Sequence, residues 1–181
     1  DRTKLILRGR FRAIKVLQSL NLATLHEIDG TASDPGLLLS WVDGRHFLYS
    51  VEIKGADGRD RRELRLADSE TGAVLGLVCE LERYVPPSNS NYAVLLPHGS
   101  VLAIIEQNEI RLIDLVSGAY LPEPLGAHSD SIDSIHICQE GEALMSTSQD
   151  GTARFWELGG VTQDSIERRN ALLARVRTRR A

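Results

Sequence analysis

The feature that most constrains this chain is a recurrence. The segments "KVLQSLNLATL" (15–25), "LRLADSETGAVL" (64–75) and "RLIDLVSGAYL" (111–121) each give an apolar strand, a polar residue, a short turn bearing Ser or Gly, and a second apolar strand. With Gln18, Asp68, Asp114 and Glu157 as the equivalent polar position, the pattern returns at intervals of 50, 46 and 43 residues. A second register moves with the first. Gly44, Gly99 and Gly141 each separate one apolar run ("GLLLSW", "YAVLL", "SIHIC") from another ("HFLYSV", "VLAIIE", "ALMST"). Two registers that drift together mark repeated structural units.

Each full unit reads as four short strands joined by tight turns. The predicted strands are 37–41, 46–52, 62–67 and 73–79, then 92–96, 101–106, 109–115 and 119–121, then 132–138, 143–147 and 152–157. A four-stranded sheet recurring every ~40–50 residues is the signature of a propeller blade. The expected fold is therefore all-β, a β-propeller-type array of about three and a half blades followed by a short C-terminal α-helix. The units fall at 3–28 (partial, lacking its opening strand), 36–79, 91–122 and 125–158, within a domain 1–160. Residues 161–181 form the helix and a basic tail.

The last unit holds "LGAH" (125–128), "STSQDG" (146–151) and "TARFWEL" (152–158). On these residues it resembles the WD-repeat β-propeller family, the first matching the family's Gly-His element, the second its strand and turn with a structural Asp, and the third its Trp-Asp ending, with Trp156-Glu157 in that place. The resemblance implies a hydrogen-bonded chain through His128, Ser146, Asp150 and Trp156. A buried indole N–H needs an acceptor, and a hydroxyl can supply it while donating onward to an imidazole held by a carboxylate. The other units depart from the pattern. Ala67-Asp68 and Ile113-Asp114 stand where Trp-Asp would be, and "ERYVPPSNSNY" (82–92) carries no Gly-His.

Ser146, His128 and Asp150 are also the ingredients of a hydrolase triad. The serine lies in "MSTSQ", without a Gly-x-Ser-x-Gly elbow, so the structural chain is the reading adopted. Other chemistry is thin. His136 and Cys138 are too few for zinc. Glu106 and Glu109, or Asp57 and Asp60, are solvated turn acids, and "GADG" lacks the Lys-Ser/Thr of a phosphate loop. No catalytic residue, cofactor or metal site is expected.

Charge limits the partners. The net charge is −4, but residues 166–181 carry six arginines against Glu167, which leaves −9 on the rest. A negative body argues against nucleic acid, except through the basic tail. "DSIERRNALLARVRTRRA" opens with a capping-box-like Asp164 and Glu167, and Ile166, Leu173 and Val176 fall on one face, expected to pack on the last blade. Two cysteines give no disulfide framework, and no apolar run is long enough for a spanning helix, so a cytoplasmic or nuclear setting without membrane contact is expected. The chain opens on Asp1 and its only methionine is Met145, so further blades or another domain are expected upstream.

The functional expectation is a non-catalytic scaffold for other proteins. By resemblance, the partner-binding rim comprises Ser131, Asp133 and Gln149, with Asn89, Asn91 and Gln107 as looser equivalents. Two alternatives stand beside it: a docking or sensor propeller of a larger signalling enzyme whose catalytic part lies upstream, and a nucleic-acid-associated factor using the arginine tail.

Overall fold

The computed structural model describes residues 4–8, 13–18, 21, 23–29, 35–54, 58, 60–81, 92–97, 100–158 and 165–178. The chain forms two compact units, Asp1–Pro87 with Val176–Ala181, and Ser88–Arg175. Among the described residues the structure is mostly strands in antiparallel sheets, with one α-helix near the C-terminus.

The first unit holds two sheets. One consists of β1 (Lys4–Arg8), β2 (Ala13–Gln18) and β3 (Thr24–Asp29) in that order. The next runs β4 (Pro35–Trp41), β5 (His46–Lys54), β6 (Asp60–Asp68) and β7 (Val74–Leu81). Val16 and Ile28 of the first sheet share a core cluster with Phe47, Tyr49, Val51 and Ala67 of the second. Because strand side chains alternate, these second-sheet residues mark one face. Leu48, Leu64 and Leu66 on the opposite face are equally buried. Burial on both faces explains why "HFLYSV" reads as a continuous apolar run rather than an alternating one.

The second unit repeats the design. Its first sheet orders β11 (Ala119–Tyr120), β10 (Glu109–Asp114), β9 (Val101–Glu106) and β8 (Ala93–Leu95). A further short strand, β12 (Gly126–Ala127), also pairs with β10. The outer edge of this third sheet is thus shared: β11 covers Ile113 and Asp114, and β12 covers Glu109 and Ile110. The fourth sheet is β13 (Ile132–Cys138), β14 (Ala143–Ser148) and β15 (Ala153–Glu157). One cluster joins the two sheets, with Leu96, Val101, Ala103, Ile105, Ile110 and Leu112 on one side and Ile132, Ile135, Leu144 and Leu158 on the other.

Helix α1 (Ser165–Thr178) follows. Its buried stripe is Leu172 and Val176, one turn apart, whereas Leu173 is only half-buried. Its arginines anchor it to the β10–β11 turn, with Arg168 Nη2 2.7 Å from Asp114 Oδ1 and Arg175 Nη1 donating to the Val116 carbonyl at 2.7 Å. These polar anchors go to the third sheet, because that turn offers a carboxylate and a free carbonyl.

The β13–β14 turn shows a close approach that only glycine permits. Gly141 has φ +104°, and a β-carbon built there would overlap the Pro97 ring. Gly141→Ala combines left-handed backbone strain with this clash and is expected to destabilise the fold by about 2–4 kcal/mol. Urea unfolding checks this; a change under about 0.5 kcal/mol, the range of inert surface substitutions, would contradict the packing.

Candidate functional site

The residues with the most chemistry lie where β12 passes into β13. The segment 125–128 continues the edge of the third sheet: Leu125 N–H donates to the Ile110 carbonyl at 2.8 Å. Asn108, in the β9–β10 turn, then grips His128 twice. Its carbonyl accepts the His128 N–H at 2.7 Å, and its side-chain amide donates to the His128 carbonyl at 2.8 Å. The backbone of His128 therefore belongs to the third sheet. Its side chain belongs to the fourth.

The imidazole is buried between two partners of that fourth sheet. Nδ1 lies 2.9 Å from Asp150 Oδ2, and Nε2 lies 2.7 Å from Ser146 Oγ. Trp156 Nε1–H donates to the same Ser146 oxygen at 2.8 Å. Donor polarity fixes the rest. An indole N–H only donates and a carboxylate only accepts, so with a neutral imidazole the hydroxyl donates its hydrogen to Nε2 and Nδ1–H points at Asp150. With this tautomer, every hydrogen in the chain from indole to carboxylate has an acceptor.

Asp150 is held by more than the histidine. Its Oδ1 accepts the Thr152 hydroxyl at 2.6 Å and the Thr152 N–H at 2.9 Å, and its Oδ2 accepts the Ser129 N–H at 3.2 Å. The Thr152 hydroxyl is the largest influence on the carboxyl. Against the opposing effect of burial, this bond, the His128 contact and the two N–H groups hold it well below the ordinary carboxylate range. Arg154 on β15 closes the group, with Nη1 donating to the Ala127 carbonyl at 2.7 Å.

Glycine is required beside the indole. A β-carbon at Gly126 would overlap the six-membered ring of Trp156, so that ring lies directly against the β12 backbone. The Trp156 and His128 rings meet edge to face, 6.0 Å apart at 74°.

The structure thus brings His128, Ser146, Asp150 and Trp156 together. Ser146 is fully buried in the middle of β14, and its oxygen already accepts the indole N–H. A hydroxyl so enclosed cannot reach an external carbonyl, so the triad-like geometry offers no nucleophile to a substrate. Among the described residues, no group of three His, Cys, Asp or Glu side chains is arranged to hold a metal, and no helix is long and apolar enough to cross a membrane.

Of the rim residues, Gln107, Ser131, Asp133 and Gln149 are exposed; Asn89 and Asn91 lie outside the described residues. Hydrogen bonds link Gln149 to Ser131 and Asp133, and Gln107 is bonded to Ile132, which lies between those two. Gln107 O accepts the Ile132 N–H at 3.3 Å, Ser131 O accepts the Gln149 N–H at 2.9 Å, and Gln149 Nε2 lies 3.4 Å from Asp133 Oδ1. Asp133 sits at an irregularity where the β13–β14 register shifts between Ile132 and Ser134. Sequence reasoning missed Thr152, Arg154 and the double role of Asn108. The first was signalled by "DGT", in which the residue two after an Asp donates to its side chain.

No family model matches the chain. Over 70 residues, 39% of its length, it is 26% identical to two human proteins, the F-box and WD repeat domain containing protein 10B and the F-box/WD repeat-containing protein 10. The matched stretch spans only 9% and 7% of those proteins. Over that stretch, the chain is similar to WD-repeat proteins.

Two outcomes follow from this geometry. Gly126→Ala should displace the indole and its bond to Ser146, costing about 2–4 kcal/mol in denaturant unfolding; a near-neutral result would contradict the stacking. The folded Asp150 carboxyl titrates below the ordinary carboxylate range, so its contribution is present above about pH 4 and is lost as pH falls toward the folded value. Stability measured from pH 5 to pH 2 should therefore fall less steeply in Asp150→Asn than in the native chain, and parallel curves would contradict the assignment.

Proposed function

We propose that this chain is part of a WD-repeat β-propeller that serves as a non-catalytic platform for protein–protein interaction, in the cytoplasm or nucleus. The observation that carries this reading is the buried chain Trp156–Ser146–His128–Asp150, built across two successive sheets by residues that match the family's motif. Three others support it: the recurrence of antiparallel sheets, the apolar cluster between the third and fourth of them, and the likeness to two F-box and WD-repeat proteins. Further blades of the same kind complete the ring in this proposal. Phe155, 63% exposed on β15 opposite Met145, marks the sheet face that an adjoining blade would cover.

A rigid array of sheets lets its turns vary without disturbing the core, which suits it to recognition. The row Gln107–Ser131–Asp133–Gln149 is the proposed contact surface. It presents amides, a hydroxyl and a carboxylate, a set that matches a polar partner surface. A bulge-like irregularity beside Asp133 is a device by which strands re-aim side chains at functional edges. Arg168 and Arg175 of α1 do not favour a nucleic-acid reading, since both are directed at the protein's own turn.

The test is quantitative comparison of the proteins captured by the full-length protein and by its Gln107→Ala/Asp133→Ala/Gln149→Ala variant. The expected result is loss of a discrete set of partners, by tenfold or more, with unfolding unchanged to within about 0.5 kcal/mol, as for surface substitutions. An identical partner set would remove this row from the proposal.

A further inference from the structure

The β6–β7 and β10–β11 turns are built alike. In the second sheet, Asp68 Oδ1 accepts the Glu70 N–H at 2.8 Å, Gly72 N–H donates to the Asp68 carbonyl at 2.9 Å, and Thr71 Oγ1 accepts the Ala73 N–H at 3.3 Å. In the third, Asp114 Oδ1 accepts the Val116 N–H at 2.9 Å, Gly118 N–H donates to the Asp114 carbonyl at 2.7 Å, and Ser117 Oγ accepts the Ala119 N–H at 3.3 Å. Gly72 and Gly118 both take the left-handed conformation, at φ +69° and +76°.

The cation that meets each carboxylate comes from a different place. Asp68 receives Arg45, with Nε at 2.8 Å and Nη2 at 2.6 Å from Oδ2. Arg45 lies in the first turn of the same sheet, where its carbonyl accepts the Ser69 N–H at 2.9 Å. The corresponding residue of the third sheet is Ser100, whose carbonyl accepts the Leu115 N–H at 2.9 Å. Serine brings no charge. Arg168 of α1 fills that role at 2.7 Å, and Arg175, two helical turns later, binds the Val116 carbonyl of the same turn.

We propose that α1 is a cis clasp on the third sheet, in which Arg168 supplies the cation that Arg45 supplies within the second. Docking of this arginine-rich helix is then set by an ion pair aimed at one turn, in addition to burial of Leu172. The ion pair is partly open to water, with Arg168 39% and Asp114 17% exposed, so the clasp is adjustable and sensitive to salt. Burial alone would raise the Asp114 carboxyl; the Val116 N–H, the Ser117 hydroxyl and Arg168 together lower it.

Amide hydrogen exchange of α1 in the full chain tests this, because a released helix of this length is marginal in water and loses protection. Asp114→Asn retains an acceptor for the Val116 N–H while removing the charge, and Arg168→Gln removes the cation. Each should lower protection across 169–178 by about two- to fivefold, the range of a partly exposed pair, with β9 and β10 unaffected. The double variant should match either single one. Raising salt to about 1 M should give the same loss in the native chain, which serves if a variant fails to fold. Unchanged helix protection in both variants and in high salt, or additive losses in the double variant, would overturn the clasp.

Discussion

A buried imidazole must place both of its ring nitrogens, and His128 places one on Asp150 and the other on Ser146. The second unit is organised around that requirement. The backbone of His128 is locked to Asn108 in the third sheet, while its side chain is locked into the fourth, so one residue ties two sheets at a fixed separation. Removing His128 would leave the buried Ser146 hydroxyl without its acceptor, at a cost of about 1–3 kcal/mol. A slip of one residue in β14 or β15 would turn Ser146 or Trp156 to the opposite face, so the chain of bonds also fixes strand register.

Turns carry the second level of order. Asp68 and Asp114 each organise the N–H groups of a tight turn, and each draws an arginine to its carboxylate. Burial would raise the Asp68 carboxyl, but Arg45 and the N–H groups of Glu70 and Thr71 bring it down to about 2. These turns keep the strand ends in place.

Much of this was legible in the sequence, for identifiable reasons. The repeat showed because "DSETGA" and "DLVSGA" must satisfy the same turn geometry, with glycine at the left-handed position. His128, Ser146, Asp150 and Trp156 stood out through the resemblance of "LGAH", "STSQDG" and "TARFWEL" to the WD-repeat motif. What escaped depended on contacts distant in sequence. Nothing in "QNE" (107–109) announces that Asn108 grips a residue 20 positions later, and nothing in the helix indicates that Arg168 meets Asp114 in a turn of the third sheet. The helix period was visible, but its buried stripe was misassigned by one residue, since Leu172 and Leu173 are alike in sequence and differ only in the direction they face.

The most direct test of the central claim is NMR of the imidazole and indole nitrogens in the full chain. If the bonds run from indole to carboxylate as described, His128 carries its proton on Nδ1 and accepts at Nε2, and the Trp156 indole N–H exchanges only with the slowest amides of β14. A proton on Nε2 of neutral His128, or an indole N–H that exchanges as fast as an exposed one, would contradict it.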